Sequence, residues 1–204
     1  MPLVLSTAMC YFGYSWVLFT FLTWFPEFLH EVHGLDLSQI AFTGAIPWLC
    51  GVVGLGIGGI FTDTLGRRFG IFRARKWVTV IALLLVAVTF AFVGLVQSTT
   101  AAVALMAVTV FILYIVGAQF FAIIGPVIPL ARFGTVSGFI HFIANIAGII
   151  APIVLGATVD HTGSWILSFV ISGIVVAIPP LWLAFVRGKP RVGGTPDQPI
   201  EGAH

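Results

Sequence analysis

Charged side chains are scarce in this sequence. Asp, Glu, Lys and Arg make up 8% of the 204 residues, while hydrophobic residues make up 59% and the mean hydropathy is +1.13. A soluble domain carries roughly a quarter charged residues, so a soluble fold of this composition could not cover its own surface. The net charge of +2 is also too small to indicate a nucleic-acid partner.

Residue patterns typical of enzymes and of metal or nucleotide sites are missing as well. The two cysteines, Cys10 and Cys50, both lie in long apolar runs, so we expect no disulfide framework. The segment His30–His33 lacks the histidine spacing of a metalloprotease helix, and Ser137 with His141 has no nucleophile elbow. No glycine-rich phosphate loop is found. We therefore expect no enzymatic activity, no metal and no cofactor.

The apolar residues instead form six runs of about twenty residues, the length that crosses a bilayer as a helix. The runs do not alternate with polar residues, which favours helices over a barrel. The sequence thus predicts an all-α membrane protein whose main surroundings are lipid. The six predicted spans are Val4 to Phe28, Ile40 to Phe61, Val78 to Val96, Ala101 to Ile124, Val136 to Leu155 and Trp165 to Val186.

The basic residues lie on one side of these spans. All nine follow spans two, four or six, whereas the other connections carry Glu31, Asp36 and Asp160. Because basic loops stay in the cytoplasm, both termini are predicted to be cytoplasmic. The basic residues are Arg67, Arg68, Arg73, Arg75, Lys76, Arg132, Arg187, Lys189 and Arg191.

A short glycine and aspartate pattern occurs twice. The first copy runs from Gly59 through Asp63 to Gly66, and the second from Gly156 through Asp160 to Gly163. An odd number of predicted spans separates them, so the copies are expected on opposite sides of the membrane. This is typical of inverted repeats, from which many secondary transporters are built.

The sequence predicts one transmembrane domain over residues 1–187. The remaining residues, 188–204, are rich in Pro, Gly and charge and are predicted to form a disordered cytoplasmic tail.

The first copy extends into Arg67 and Arg68, and this G-x-x-x-D-x-x-G-R-R segment resembles the signature of the major facilitator superfamily. Four further segments resemble its anion:cation symporter family, which carries hexuronates, aldarates and other organic acids. The likeness implies the C-terminal half of such a carrier, two inverted three-helix repeats in a plasma (bacterial inner) membrane. The four segments are Thr23 to Pro26, Ala74 to Lys76, Gly134 to Gly138 and Ala144 to Gly156.

The resemblance implies two groups of functional residues. The glycines of the signature, with Asp63 and the two arginines, would form a gating loop that latches one conformation. Polar side chains in the spans would contact the substrate: Asn145 near mid-depth in span five, and Tyr14 and Tyr114 in the equivalent first helices of the two repeats. Each of these has an equally plausible structural role as a bridge between helices. The gating residues are Gly59, Asp63, Gly66, Arg67 and Arg68; the candidate substrate contacts are Tyr14, Tyr114, Asn145, His141 and Gln119, with Tyr11, Ser15, Thr20 and Thr23 as weaker candidates.

No Asp, Glu, Lys or Arg falls near the middle of a predicted span. A proton-coupled carrier of an anion needs a titrating carboxylate and a cationic anchor for the substrate, and the family pattern places both in the other six-helix half. The expected function is therefore transport of a small organic anion, with a proton as the coupling ion. The expected partner is a second six-helix bundle, either the N-terminal half or another copy of this chain. The alternative is a truncated or split subunit without transport activity of its own.

Overall fold

The computed structural model describes residues 2–186, and these residues form the predicted all-α fold. Six helical segments are long and apolar enough to cross a membrane, so the predicted fold class and span number are confirmed. Arg187 and the predicted tail, 188–204, lie outside the described residues. The helices are α1 (Pro2–His33), α2 (Leu37–Phe69), α3 (Ile71–Val93), α4 (Thr99–Gly117), α5 (Gln119–Ile124), α6 (Leu130–Thr162) and α7 (Trp165–Phe185), of which α4 and α5 share the fourth span.

The helices continue well beyond the apolar runs that predicted them. Both α2 and α6 contain 33 residues, or about 50 Å at 1.5 Å per residue, against about 30 Å of hydrocarbon. Charged residues end an apolar run but do not end a helix, because outside the hydrocarbon they are solvated while the backbone stays helical. The predicted loop between spans two and three is consequently helical except at Gly70.

The helices pack as two related triplets. The first triplet contains α1, α2 and α3, and the second contains α4 (with α5), α6 and α7. In this correspondence α1 is equivalent to α4, α2 to α6 and α3 to α7. When equivalent helices are exchanged, the close α2 to α4 packing corresponds to the close α1 to α6 packing, and α3 to α4 corresponds to α1 to α7. The α3 to α7 contact maps onto itself. This is the packing expected of two inverted three-helix repeats.

Contacts between helix termini define the two ends of the bundle. At one end the terminus of α1 reaches the starts of α4 and α7, through His33 to Thr99 and Glu31 to Trp165. We call this the acidic end, since Glu31, Asp36 and Asp160 lie there. The opposite end, where α2 ends and α3 and α6 begin, carries Arg67, Arg68, Arg73, Arg75, Lys76 and Arg132 and is called the basic end.

Glycines set the distance between the most closely packed helices. A Cβ added at Gly58 of α2 would lie 2.7 Å from the Cα of Ile115 in α4. In the corresponding pair, a Cβ at Gly156 of α6 would lie 2.7 Å from the Trp24 ring of α1. Lipid tails are as apolar as the helices, so close backbone approach and dispersion hold such pairs together.

Candidate functional site

Aromatic side chains of α1, α5 and α6 form a cluster towards the basic half of the bundle. The Tyr11 ring stacks on Phe120 with centroids 4.6 Å apart and meets Tyr14 at 5.6 Å. The Tyr11 ring also lies 5.6 Å from the His141 ring, between centroids. Tyr114 lies on α4 about one helical turn before Gly117, the residue that packs against the Tyr14 hydroxyl. We call Tyr11, Tyr14, Tyr114 and His141 the tyrosine row.

A break in the fourth span contributes to the position of Tyr14. The chain leaves helical hydrogen bonding at Ala118, between α4 and α5, without a proline. Just before the break, a Cβ added at Gly117 would lie 3.3 Å from the Tyr14 hydroxyl oxygen. Tyr14 is 8% exposed, so its phenol is held between α1 and the broken span.

Tyr114 occupies a comparable position on the other repeat, though it is only half-buried. Its ring packs on Gly51 of α2, where an added Cβ would lie 3.1 Å away. Its neighbour on the other side is Trp48, at 6.2 Å between ring centroids. A larger residue at Gly51 would displace the Tyr114 ring.

Asn145 and His141 lie on an exposed face of α6. The Asn145 amide nitrogen donates to the backbone carbonyl of His141, one turn earlier in the same helix, at 2.8 Å. No side chain of another helix among residues 2–186 hydrogen-bonds to this amide. The Asn145 side-chain oxygen therefore remains available to a group outside the described bundle.

Gln119 is placed differently from the other substrate candidates. It is 4% exposed, and its side-chain nitrogen donates to the Thr62 hydroxyl at 3.3 Å. Thr62 in turn donates to the carbonyl of Gly58. Gln119 thus links α5 to α2 through its hydrogen bond to Thr62. No hydrogen bond joins it to the tyrosine row among the described residues.

The five predicted gating residues lie on the last three turns of α2 and not in a loop. Gly59 faces open space, since a Cβ added there would meet nothing within 4 Å. Gly66 packs against the Cα of Ile71, and the guanidinium of Arg68 lies over its neighbour Phe69, at 5.5 Å. Asp63, Arg67 and Arg68 are exposed.

A sixth residue, Arg75, joins this segment to two other helices. Its guanidinium lies 3.5 Å from the Asp63 carboxylate of α2 and donates to the carbonyl of Ala122 in α5 at 3.2 Å. Asp63 is largely solvated, so the ion pair contributes about 0–1 kcal/mol. Arg75 belongs to the Ala74 to Lys76 segment, which the sequence marked by resemblance without giving it a role.

Lys76, the next residue, fixes the end of α7. Its ammonium donates to the carbonyls of Ala184 at 2.9 Å and Val186 at 2.6 Å. At the end of a helix the last carbonyls have no N–H donor within the helix, so the lysine supplies the missing hydrogen bonds. Arg75 and Lys76 together tie α3 to α2, α5 and α7 at the basic end.

The acidic end is held by tryptophan hydrogen bonds. Trp24 donates to the carbonyl of Pro152 at 3.0 Å, and Trp165 donates to the Glu31 carboxylate at 3.1 Å. In the adjoining connection, Asp36 caps α2, and hydrogen bonds from the Gln39 amide and the Ser38 hydroxyl lower the pKa of its carboxyl. Within residues 2–186 no three His, Cys, Asp or Glu side chains are placed to hold a metal ion.

Comparison with known proteins places these features in a family. The sequence profile of the Major Facilitator Superfamily matches residues 1–152. The chain belongs to this superfamily. It is accordingly a multi-pass membrane protein with six membrane-crossing segments among the described residues.

Curated relatives support the predicted resemblance to the anion:cation symporters. A hexuronate transporter of Bacillus subtilis is 40% identical over 204 residues, covering 97% of this chain and 48% of the relative. A probable sulfoacetate transporter, SauU, of Cupriavidus necator is 32% identical, covering 86% of this chain and 41% of the relative. A probable galactarate/D-glucarate transporter, GudP, of Escherichia coli is 29% identical, covering 84% and 38%. The chain therefore spans about half, or less, of the length of these transporters.

Proposed function

We propose that this chain forms the C-terminal six-helix half of a carrier for a small organic anion such as a sugar acid. The observation that carries the proposal is the tyrosine row, which ends beside the exposed amide of Asn145. Phenols and an amide can hydrogen-bond to the hydroxyls and carboxylate of a sugar acid, while the rings pack on its carbon face. The curated relatives are named as transporters of hexuronate, sulfoacetate and galactarate or glucarate.

We propose a second six-helix bundle as the partner, docked on α2 and α6. These two helices are the least buried of the six spans. Gly56 and Gly59 on α2 and Gly134 and Gly138 on α6 have nothing within 4 Å of an added Cβ. Small residues of this kind, with the polar Asn145, are typical of a helix interface and not of a lipid-facing surface. Rocking of the two bundles about the tyrosine row would give alternating access.

We further propose that the coupling ion is a proton and that its titrating carboxylate lies in the second bundle. In the described spans, acidic side chains fall only near the helix ends, as with Glu27, Asp63 and Asp160. The positively charged residues of the basic end favour a cytoplasmic position for that end, and therefore for both termini, in a bacterial inner membrane. The substrate would cross without chemical change.

The second candidate function is that of a partner subunit without independent transport. It is favoured by the open faces of α2 and α6 and by the absence of a mid-span cation for an anionic substrate among the described residues. Here the tyrosine row would complete a site only after the second bundle binds.

Uptake by reconstituted protein tests whether the chain transports an organic anion and whether it needs a second bundle to do so. One set of proteoliposomes contains the chain alone, and a second contains the chain fused behind the N-terminal half of the Bacillus subtilis hexuronate transporter. Labelled glucuronate uptake is measured with an inward proton gradient, with and without a protonophore. Uptake only by the fusion supports the carrier-half proposal, whereas uptake by the chain alone would contradict the need for a second bundle. No gradient-dependent uptake of any organic acid by either protein would overturn the proposed function.

Asn145→Ala in the fusion then tests the site. Loss of one hydrogen bond to a carboxylate corresponds to about 1.5–3 kcal/mol, so we expect the apparent KM to rise roughly tenfold or more. Thr43→Ala is the matched control, because the Thr43 hydroxyl also donates to a carbonyl of its own helix, at 2.7 Å, but lies in the second turn of α2, at the acidic end. An unchanged KM for Asn145→Ala would reduce this residue to a packing role.

A further inference from the structure

An open cavity of about 930 Å³ lies at the basic end, where α2 meets α3. The side chains of Arg73 and Lys76 line it, together with Trp77 and the end of α7 at Val186. Trp77 is 44% exposed, and tryptophan at a span end marks the interface between headgroups and hydrocarbon. The cavity therefore lies at the depth of lipid headgroups.

The charge lining this cavity is positive. Lys76 is 9% exposed, and within residues 2–186 its ammonium has two carbonyls and no carboxylate as partners, so no described side chain neutralises its charge. Arg73 is exposed and has no ion-pair partner within residues 2–186. The N-terminus of α3 adds backbone N–H groups, because its capping residue Gly70 has no side chain to bind them. An anion is the chemically complementary occupant.

A second cavity lies beside the first, farther along α3 towards the middle of the span. It has a volume of about 290 Å³ and is lined only by apolar side chains of α2, α3 and α4. Trp77 lines both cavities. From Trp77 to Leu85 the groove follows two turns of α3, or about 12 Å at 1.5 Å per residue. A molecule with an anionic head and an apolar chain matches this pair of cavities, whereas a free anion would use only the first.

We propose that the two cavities bind one anionic phospholipid. Arg73 and Lys76 hold its phosphate at the basic end, and one acyl chain lies in the groove beside Ile81 and Leu85. The lipid bridges α2, α3 and α4 without touching the tyrosine row, so the site is separate from the proposed substrate site. Basic pockets between membrane helices are suited to such headgroups.

Native mass spectrometry of the full chain in detergent measures this binding directly. The probes are dioleoylphosphatidylglycerol, dioleoylphosphatidylcholine and soluble glycerol phosphate. We expect the anionic lipid to be retained over the zwitterionic one, and Arg73→Gln to weaken its retention about fivefold, the effect of one basic residue near a lipid surface. Arg132→Gln is the matched control, since Arg132 is also exposed at the basic end but does not line the cavity. Arg73→Lys should keep the binding.

The groove is tested by filling it. Ile81→Trp occupies part of the groove and should weaken retention roughly fourfold, the effect of keeping about one CH₂ of the acyl chain from burial. Val88→Trp is the control. Val88 also lies on α3 and is 54% exposed, against 55% for Ile81, but it does not line the groove. Circular dichroism melting verifies that each variant folds.

Several results would overturn the proposal. Equal retention of the two lipids, or an unchanged affinity for Arg73→Gln, would show that the basic cavity does not select an anion. Glycerol phosphate that binds as tightly as the lipid would identify a free phosphate site. Retention that appears only after deletion of residues 188–204 would show that this segment occupies the cavity in the full chain.

Discussion

The packing of α2 on α4 leads to a sharp prediction for two glycines that are two residues apart. Gly58 is buried, and a Cβ added to it would lie 2.7 Å from the Cα and 2.9 Å from the carbonyl oxygen of Ile115. Both are backbone atoms, so no side-chain rotation relieves the clash. Gly56 is exposed, and a Cβ added there would meet nothing within 4 Å. Gly58→Ala should therefore destabilise the bundle, and Gly56→Ala should not.

The size of the effect follows from the geometry. To bring the 2.7 Å contact to 3.4 Å, the lower limit of ordinary van der Waals contact, α2 and α4 must separate by about 0.7 Å at the position of Gly58, with loss of dispersion along the seam. Overpacking of this kind costs about 1–3 kcal/mol. Alanine also gains about 1 kcal/mol of helix propensity over glycine, but both variants share this gain. The difference between the variants isolates the steric cost, at about 2 kcal/mol.

Thermal unfolding of the two variants, purified in the same detergent, measures this difference. For a chain of this size about 2 kcal/mol corresponds to a Tm lower by roughly 4–8 °C for Gly58→Ala than for Gly56→Ala. Size-exclusion profiles of the two proteins should coincide, so that aggregation does not account for the shift. Equal Tm values would refute the conclusion that the α2 to α4 distance is set by glycine.

Two further predictions concern the ends of the bundle. A double-mutant cycle of Asp63→Asn and Arg75→Gln, measured by unfolding, should give a coupling free energy of about 0.2–1 kcal/mol. Because the pair is partly solvated, this coupling should decrease with added salt. A coupling that salt does not change would contradict the solvated ion pair. At the acidic end, the pKa of Asp36 is lowered in the folded state, so its cap is fully present above the unfolded pKa of about 3.9 and is lost as the pH falls through the lower folded value. Hydrogen exchange of the Gln39 amide, which donates to Asp36, should show increased opening over that acidic range, and protection that is the same at neutral and strongly acidic pH would contradict the cap.

The number and class of the helices could be predicted from composition, since hydrocarbon leaves few other ways to satisfy the backbone. The helix ends could not. Between spans two and three the arginines marked a loop, yet α2 runs to Phe69 and α3 starts at Ile71. Solvation of charged side chains is compatible with either a helix or a loop, so charge alone does not locate the end.

For the candidate site residues, the sequence predicts the depth in the membrane but not the direction in which the side chain points. The depth of Asn145 and Tyr14 follows from counting along a span, but the face to which each points depends on the neighbouring helix. Gly58 and Gly59 are adjacent in the sequence, and only Gly58 packs against α4. The partners of Arg75 include a carbonyl at Ala122, 47 residues away, and backbone carbonyls leave no trace in a residue pattern. The Ala118 break likewise has no proline to indicate it.

The junction between α2 and α3 consists of Gly70 alone, with a φ of 89° that favours glycine over other residues. Neighbouring Cα atoms are about 3.8 Å apart, so a one-residue connection holds the end of α2 close to the start of α3. The α2 terminus, which carries Asp63, Arg67 and Arg68, is therefore joined to α3 within one residue, and Lys76 of α3 hydrogen-bonds to the end of α7. The predicted gating residues of one repeat are thus connected through α3 to the last helix of the other repeat.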